Sequence, residues 1–263
     1  MPPAAPTLLI LNPNTSPSVT QLLEAAALRA AAALPQPVAV RALTAAFGPR
    51  YITGEVGAAV AAHAALEACA DDMARHGAPG AVLLGCFGDP GLFALRALCP
   101  APVLGLAEAS MRAAAAYGPF VVLTGGAAWV PMLHRLAQAL PLPAPLLGVH
   151  ALPRSGGEMA AQPDAAVQWL AEAGEQALQR WPQARALLLG GAGLAGLAAP
   201  LAGRLPVPVL DNVDLALHHA LRAALGGAHE LGAPGAAPAA QEAGPWCGLG
   251  PGLAHWLPGT PRG

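Results

Sequence analysis

Cys86 is the residue in this chain best placed to do chemistry. It follows a short aliphatic run, Ala81–Leu84, and precedes Phe87-Gly88-Asp89-Pro90-Gly91-Leu92. A run of that length and content reads as a buried strand, and Asp89-Pro90 has the form of a helix N-cap followed by proline at the first helical position. Cys86 is thereby expected in a strand-to-helix turn. In a parallel sheet that turn lies at the ligand-binding carboxyl edge, and the adjoining helix N-terminus favours a thiolate. A free thiol titrates near pH ~8.5, so modest tuning lets it give or take a proton near neutrality.

A second polar group, Asn12-Pro13-Asn14-Thr15-Ser16-Pro17, follows another apolar run, Thr7–Leu11. Amides and hydroxyls beside free backbone N–H groups suit a carboxylate or amide ligand. The same residue types also cap and turn chains for purely local reasons, and this stretch alone leaves both roles open. The other cysteines carry less. Cys69 sits in a helical pattern and reads as core, Cys99 precedes Pro100, and Cys247 lies in a Gly/Pro/Ala-rich tail. No CxxC pair or regular spacing points to zinc or to a disulfide framework, so reduced thiols and no metal are expected.

Composition narrows the partners. The chain has 263 residues, 13 basic against 15 acidic, with no basic cluster, which excludes an electrostatic footprint for nucleic acid. Mean hydropathy is positive, but alanine supplies most of it, and Gly and Pro break every apolar run before the roughly 18–20 residues of a membrane span. Leu8–Leu11 has no basic residues before it, so a secretory signal is not expected. A cytoplasmic protein acting on a small molecule, without membrane or nucleic acid, is the expectation.

The elements that must position these groups alternate between strand and helix. Strands are predicted at Thr7–Leu11, Val38–Leu43, Ala81–Leu84, Pro102–Leu106, Gly118–Thr124, Leu146–Ala151, Ala186–Leu189 and Pro206–Leu210. Helices are predicted from near Ser18 to Leu34-Pro35, from the end of the loop Phe47–Glu55 to His76, and over Leu92–Leu98, Ala109–Ala116, Trp129–Leu140, Asp164–Arg180 and Asp214–Leu225. Arg154–Glu158 reads as loop, and the tail from Gly226 as largely irregular. Phe87, Tyr51 and Trp129 are aromatic candidates for an apolar pocket.

The second half repeats the first. Val82-Leu83-Leu84-Gly85-Cys86 with Gly91-Leu92 matches Leu187-Leu188-Leu189-Gly190-Gly191 with Gly196-Leu197. Pro102-Val103-Leu104 with Glu108 matches Pro208-Val209-Leu210 with Asp214, and Leu8–Leu11 matches Val121–Thr124. Ordered matches at nearly constant offset indicate two pseudo-symmetric, flavodoxin-like α/β lobes with parallel sheets and a cleft between them. The expected division is 1–107 plus 214–225 for the first lobe, 108–213 for the second, and 226–263 for the tail. Cys86 and Gly191 end equivalent strands.

These motifs together, Asn12-Pro13-Asn14-Thr15-Ser16, Gly85 through Gly91, Gly105 through Glu108, and Leu189 through Ala198, resemble the aspartate/glutamate/hydantoin racemase superfamily, with the hydantoin racemase branch closest. The likeness runs from about Thr7 to Leu225. It implies a cofactor-independent enzyme in which one cysteine from each lobe works as acid or base on opposite faces of a substrate α-carbon, and it is compatible with homo-oligomerisation. It also implies substrate-binding roles for Asn12, Asn14, Thr15, Thr124, Gly125, Gly126, Gly191 and Ala192. The chain departs from the pattern at Gly191, which stands where the second cysteine is expected and has no proton to transfer. Three readings follow: a racemase in which water, the substrate or a side chain such as His150 or His219 replaces that thiol; a single-cysteine decarboxylase; and a non-catalytic protein that binds a small carboxylate or cyclic amide.

Overall fold

The computed structural model describes residues 5–227 and 246–257. Strands β1 (Thr7–Asn12), β2 (Ala39–Thr44), β3 (Ala81–Leu84) and β4 (Val103–Gly105) form one parallel sheet in the order β2-β1-β3-β4. Strands β5 (Phe120–Gly125), β6 (Leu146–Leu152), β7 (Ala186–Gly190) and β8 (Val209–Asp211) form a second in the order β6-β5-β7-β8. The two sheets therefore share one topology, as the repeat requires. Leu11 pairs with Leu84 and Leu84 with Gly105; Leu123 pairs with Leu189 and Leu189 with Asp211. That register makes Asn12 equivalent to Thr124, Cys86 to Gly191, and Gly105 to Asp211.

Both faces of each sheet are covered, which is why the strands read as apolar runs rather than alternating patterns. Side chains alternate across a strand. Leu8 and Ile10 face a core shared with Phe120, Val122 and Leu188 of the other sheet, whereas Leu9 and Leu11 face the outer helices. Burying each such side chain contributes roughly 1.5–3 kcal/mol.

The helices are α1 (Pro17–Ala32), α2 (Glu55–His76), α3 (Leu92–Leu98), α4 (Leu106–Ala115), α5 (Trp129–Ala139), α6 (Gly156–Ala161), α7 (Pro163–Arg180), α8 (Asn212–Ala224) and α9 (Pro251–Trp256). Helix α4, which follows the first sheet, packs on β7, and α8, which follows the second, packs on β3, α1 and α4. Among the described residues, no helix is long and apolar enough to cross a membrane.

Several elements differ from the sequence expectation. Arg154–Glu158 is not all loop: Ser155 accepts from the Glu158 N–H while the Glu158 carboxylate accepts from the Ser155 N–H, a capping box that starts α6. Helix α4 begins at Leu106 rather than Ala109, because a carboxylate from elsewhere receives its first N–H groups. Strand β8 begins at Val209 rather than Pro206, since Pro206 and Pro208 have no N–H to give a ladder. In the tail, Pro251–Trp256 is helical and buries Leu253 against α2, with the Gly250 N–H donating to Glu67 Oε1 at 2.7 Å. The rest of the expected irregular tail, 228–245 and 258–263, lies outside the described residues.

Candidate active site

The turn carrying Cys86 is shaped by glycines and by one strained residue. Gly85 continues the ladder, donating to Leu11 O at 2.8 Å, and a Cβ there would fall 2.5 Å from Leu23 Cδ1. The Asp89 N–H donates to Cys86 O at 3.0 Å and closes the turn. Gly88 and Gly91 have positive φ, and so does Asp89, at 48°, a region that non-glycine residues enter at a cost. Gly88 must be glycine for a second reason, since a Cβ would strike the Trp129 ring.

Cys86 is 9% exposed and sits with Ile52 and Ala61, flanked by Ala58 and Trp129. Its walls thus come from the segment before α2, from α2 itself and from α5 of the second lobe. Burial foremost, and then the charge of Asp89, push its thiol well above the ordinary cysteine range. This corrects the expectation that a helix N-terminus draws the group toward thiolate.

Asp89 explains the difference. It does not cap α3, whose N-cap is Gly91 in the left-handed conformation, and Pro90 is not its first residue. The Asp89 carboxylate turns to α4 instead, accepting from the Ala107 N–H at 2.9 Å and the Glu108 N–H at 2.7 Å. Burial pushes its carboxyl up to about 7, against the lowering effect of those two bonds. Room for it exists because Gly105 has no side chain: a Cβ there would overlap the carboxylate. Beside it, Glu108 is ion-paired to Arg96 through the two terminal guanidinium nitrogens.

The second lobe meets this turn through Phe87, against which a Cβ on Gly190 would lie 2.5 Å from Cε1. The Thr124 hydroxyl donates to Gly190 O at 2.7 Å, and the Asn212 amide donates to Gly191 O at 3.1 Å, fixing the strand end. Gly191 has φ 139°, and a Cβ there would meet only Leu194 Cγ, 4.0 Å away. Ala192 opens the short turn Ala192–Leu194. Gly125 is crowded by Arg154 O at 2.5 Å from a built Cβ, and the Gly126 N–H is engaged by Leu152 O at 3.1 Å.

On the first lobe, Asn12 is fully buried, and its Nδ2 reaches Asn14 Oδ1, Ser16 O and Thr20 Oγ1 at 3.0, 3.1 and 3.0 Å. Asn14 Oδ1 also accepts from the Ser16 N–H at 2.9 Å, which leaves its amide nitrogen outside this network. The Thr15 N–H donates to Pro49 O at 3.0 Å, tying the segment that carries Tyr51 and Ile52 over the turn. Ile52 was not among the sequence candidates. Of the aromatic candidates, Trp129 borders the thiol, Phe87 joins the lobes, and Tyr51 lies 45% exposed beside Ser16 and Ser18. His150 lies in β6 near Arg180 and His219 on α8 near His218 and Arg222, and neither Cys86 nor Asp89 is among the charged groups acting on either ring.

Two parallel α/β sheets of identical order, with a buried cysteine where their strand ends converge, match a known pattern. The family model for Asp/Glu/hydantoin racemases matches residues 8–220. The chain belongs to the Asp/Glu/hydantoin racemase family. Hydantoin racemase from Paenarthrobacter aurescens is 32% identical over 216 residues, covering 80% of this chain and 87% of the relative. Hydantoin racemase from Pseudomonas sp. (strain NS671) is 30% identical over 207 residues, covering 78% and 80%. The crystal structure of allantoin racemase from Pseudomonas fluorescens superposes with a TM-score of 0.75 at 28% identity, covering 84% of this chain and 92% of that one. As a member of the racemase family, the chain is an isomerase.

Proposed function

We propose that this racemase inverts the α-carbon of a hydantoin-like cyclic amide or an amino acid without a cofactor, and that Cys86 carries the proton on one face. The observation that carries this is the Cys86 thiol at the carboxyl edge of the first sheet, walled by both lobes, with its neighbour Phe87 against Gly190 at the end of β7. Inversion breaks the α C–H bond, leaves its electron pair in an enolate, and returns a proton to the opposite face. The Cys86 thiol gives its proton to the enolate when the product's α-hydrogen faces it, and by microscopic reversibility its thiolate takes the α-proton when the other enantiomer binds. Gly191 has no side chain, so a water molecule opposite Cys86 carries the complementary proton, taking it as hydroxide or giving it as water, and exchange with solvent restores both groups.

Preorganised neutral donors suit a developing enolate oxygen. Asn14 offers its remaining amide nitrogen and Thr15 its hydroxyl. Asn12 and Thr124 act through the strand ends they hold. Gly125, Gly126, Gly191 and Ala192 leave the backbone open to the ring. The lobe division of 1–107 with 214–225 against 108–213 is supported by the crossed packing of α4 and α8.

The test is polarimetry on enantiopure 5-substituted hydantoins and amino acids, with carbon dioxide release from substituted malonates in parallel. Loss of rotation from either enantiomer is expected. Carbon dioxide release without racemisation would replace the proposal with a decarboxylase, and a ligand-induced rise in melting temperature without turnover would replace it with a binding protein.

A further inference from the structure

We propose that Asp89 is the positioning residue of Cys86, clamping the cysteine's turn onto the first turn of α4 so that the sulfur keeps one place beside the substrate. This rests on the proposal that Cys86 carries the proton. The clamp is closed at both ends: the Asp89 N–H holds Cys86 O at 3.0 Å, and the Asp89 carboxylate holds the N–H groups of Ala107 and Glu108.

The second lobe shows what an ordinary cap looks like at the same place. There Asp211 Oδ1 accepts from the N–H groups of Val213 at 2.8 Å and Asp214 at 3.3 Å, the equivalents of Ala107 and Glu108. Its Oδ2 accepts from the Gly196 N–H at 2.6 Å. Asp211 ends its own strand, at the position that Gly105 fills in the first lobe. Each lobe thus sets a carboxylate on the same two N–H groups, but from different directions. A cap alone is satisfied by an aspartate at the strand end.

The first lobe instead brings the carboxylate from three residues beyond Cys86, through a left-handed residue, and empties Gly105 to receive it. In the second lobe, the equivalent of Cys86 is Gly191 and the equivalent of Asp89 is the buried Leu194. The clamp accompanies the thiol, and where the thiol is missing the carboxylate returns to the strand.

Transplanting the second lobe's arrangement separates the two roles. Asp89→Gly suits the positive φ but removes both cap and clamp, and should lower both Tm and kcat. Asp89→Gly combined with Gly105→Asp resupplies the cap from the strand end. Its Tm should recover while kcat stays down by about 100-fold, the cost of a nucleophile or acid displaced by about 1 Å, with KM little changed. Recovery of kcat together with Tm would overturn the proposal and leave Asp89 a helix cap.

If the glycine variants fail to fold, Asp89→Asn keeps the shape. It gives up one of the two N–H bonds to α4, and the rate of Cys86 alkylation by iodoacetamide at fixed pH, followed by mass spectrometry, should rise as the loosened turn admits reagent to the buried sulfur, while kcat falls. An unchanged alkylation rate with unchanged kcat would also overturn the proposal. Alkylation needs no substrate, so a protein that turns over nothing would sink the functional proposal while the clamp is still decided.

Discussion

Burial governs both ionisable groups at the centre of the site, and it acts on them in the same direction. Cys86 is kept as a thiol, and Asp89 is kept partly protonated near neutrality, with its carboxyl at about 7. Between pH about 4 and about 7 the folded chain holds a proton on Asp89 that the unfolded chain has released. The stabilisation is complete below that window and is lost as pH rises through it. Denaturant unfolding of the wild type and Asp89→Asn across this window should show the wild type's stability relative to the variant falling by up to roughly 4 kcal/mol. A difference independent of pH would contradict the assignment. Cys86 was legible in the sequence because strand, turn and thiol are contiguous there. The role of Asp89 was not, because its partners Ala107 and Glu108 lie 18 and 19 residues away, and a local N-cap explains the same letters.

Elements whose signals are contiguous in the sequence are legible in it. The strand Ala81–Leu84 and the helix Leu92–Leu98 have the bounds expected of them. The Ser155 to Glu158 spacing was a capping box in plain view, but the short helix it starts has little apolar periodicity to announce it. Helix α9 owes its place to Leu253 and to Glu67 on α2, contacts that no local pattern carries. One glycine at the end of β7, Gly190, lets Phe87 of the first lobe pack against the second. Gly190→Ala would bring a methyl 2.5 Å from Phe87 Cε1 and 2.8 Å from Val122 Cγ1. Overpacking of this kind costs about 1–3 kcal/mol and moves the residue next to Cys86. Calorimetry and turnover should both fall for this variant, and a variant with wild-type values would show that the Phe87 contact is unimportant.

At the scale of the whole molecule, the internal repeat gave the two-lobe architecture, since equivalent strands share both sequence pattern and sheet order. The crossed packing of α4 and α8 rests on long-range contacts, α4 against β7 and α8 against β3. The lobes are held by the shared apolar core, and the solvent-screened Arg135–Glu55 pair across them, at 2.7 Å, adds little to it. That construction brings one thiol and one glycine to equivalent strand ends, so the chemistry proposed for the pair depends on Cys86. The most direct measurement is α-proton exchange in deuterium oxide, on both enantiomers of a 5-substituted hydantoin, by wild type and Cys86→Ser. The wild type should incorporate deuterium well above the uncatalysed rate, and Cys86→Ser should lose at least about 100-fold of that activity. Exchange by Cys86→Ser at the wild-type rate would contradict the account.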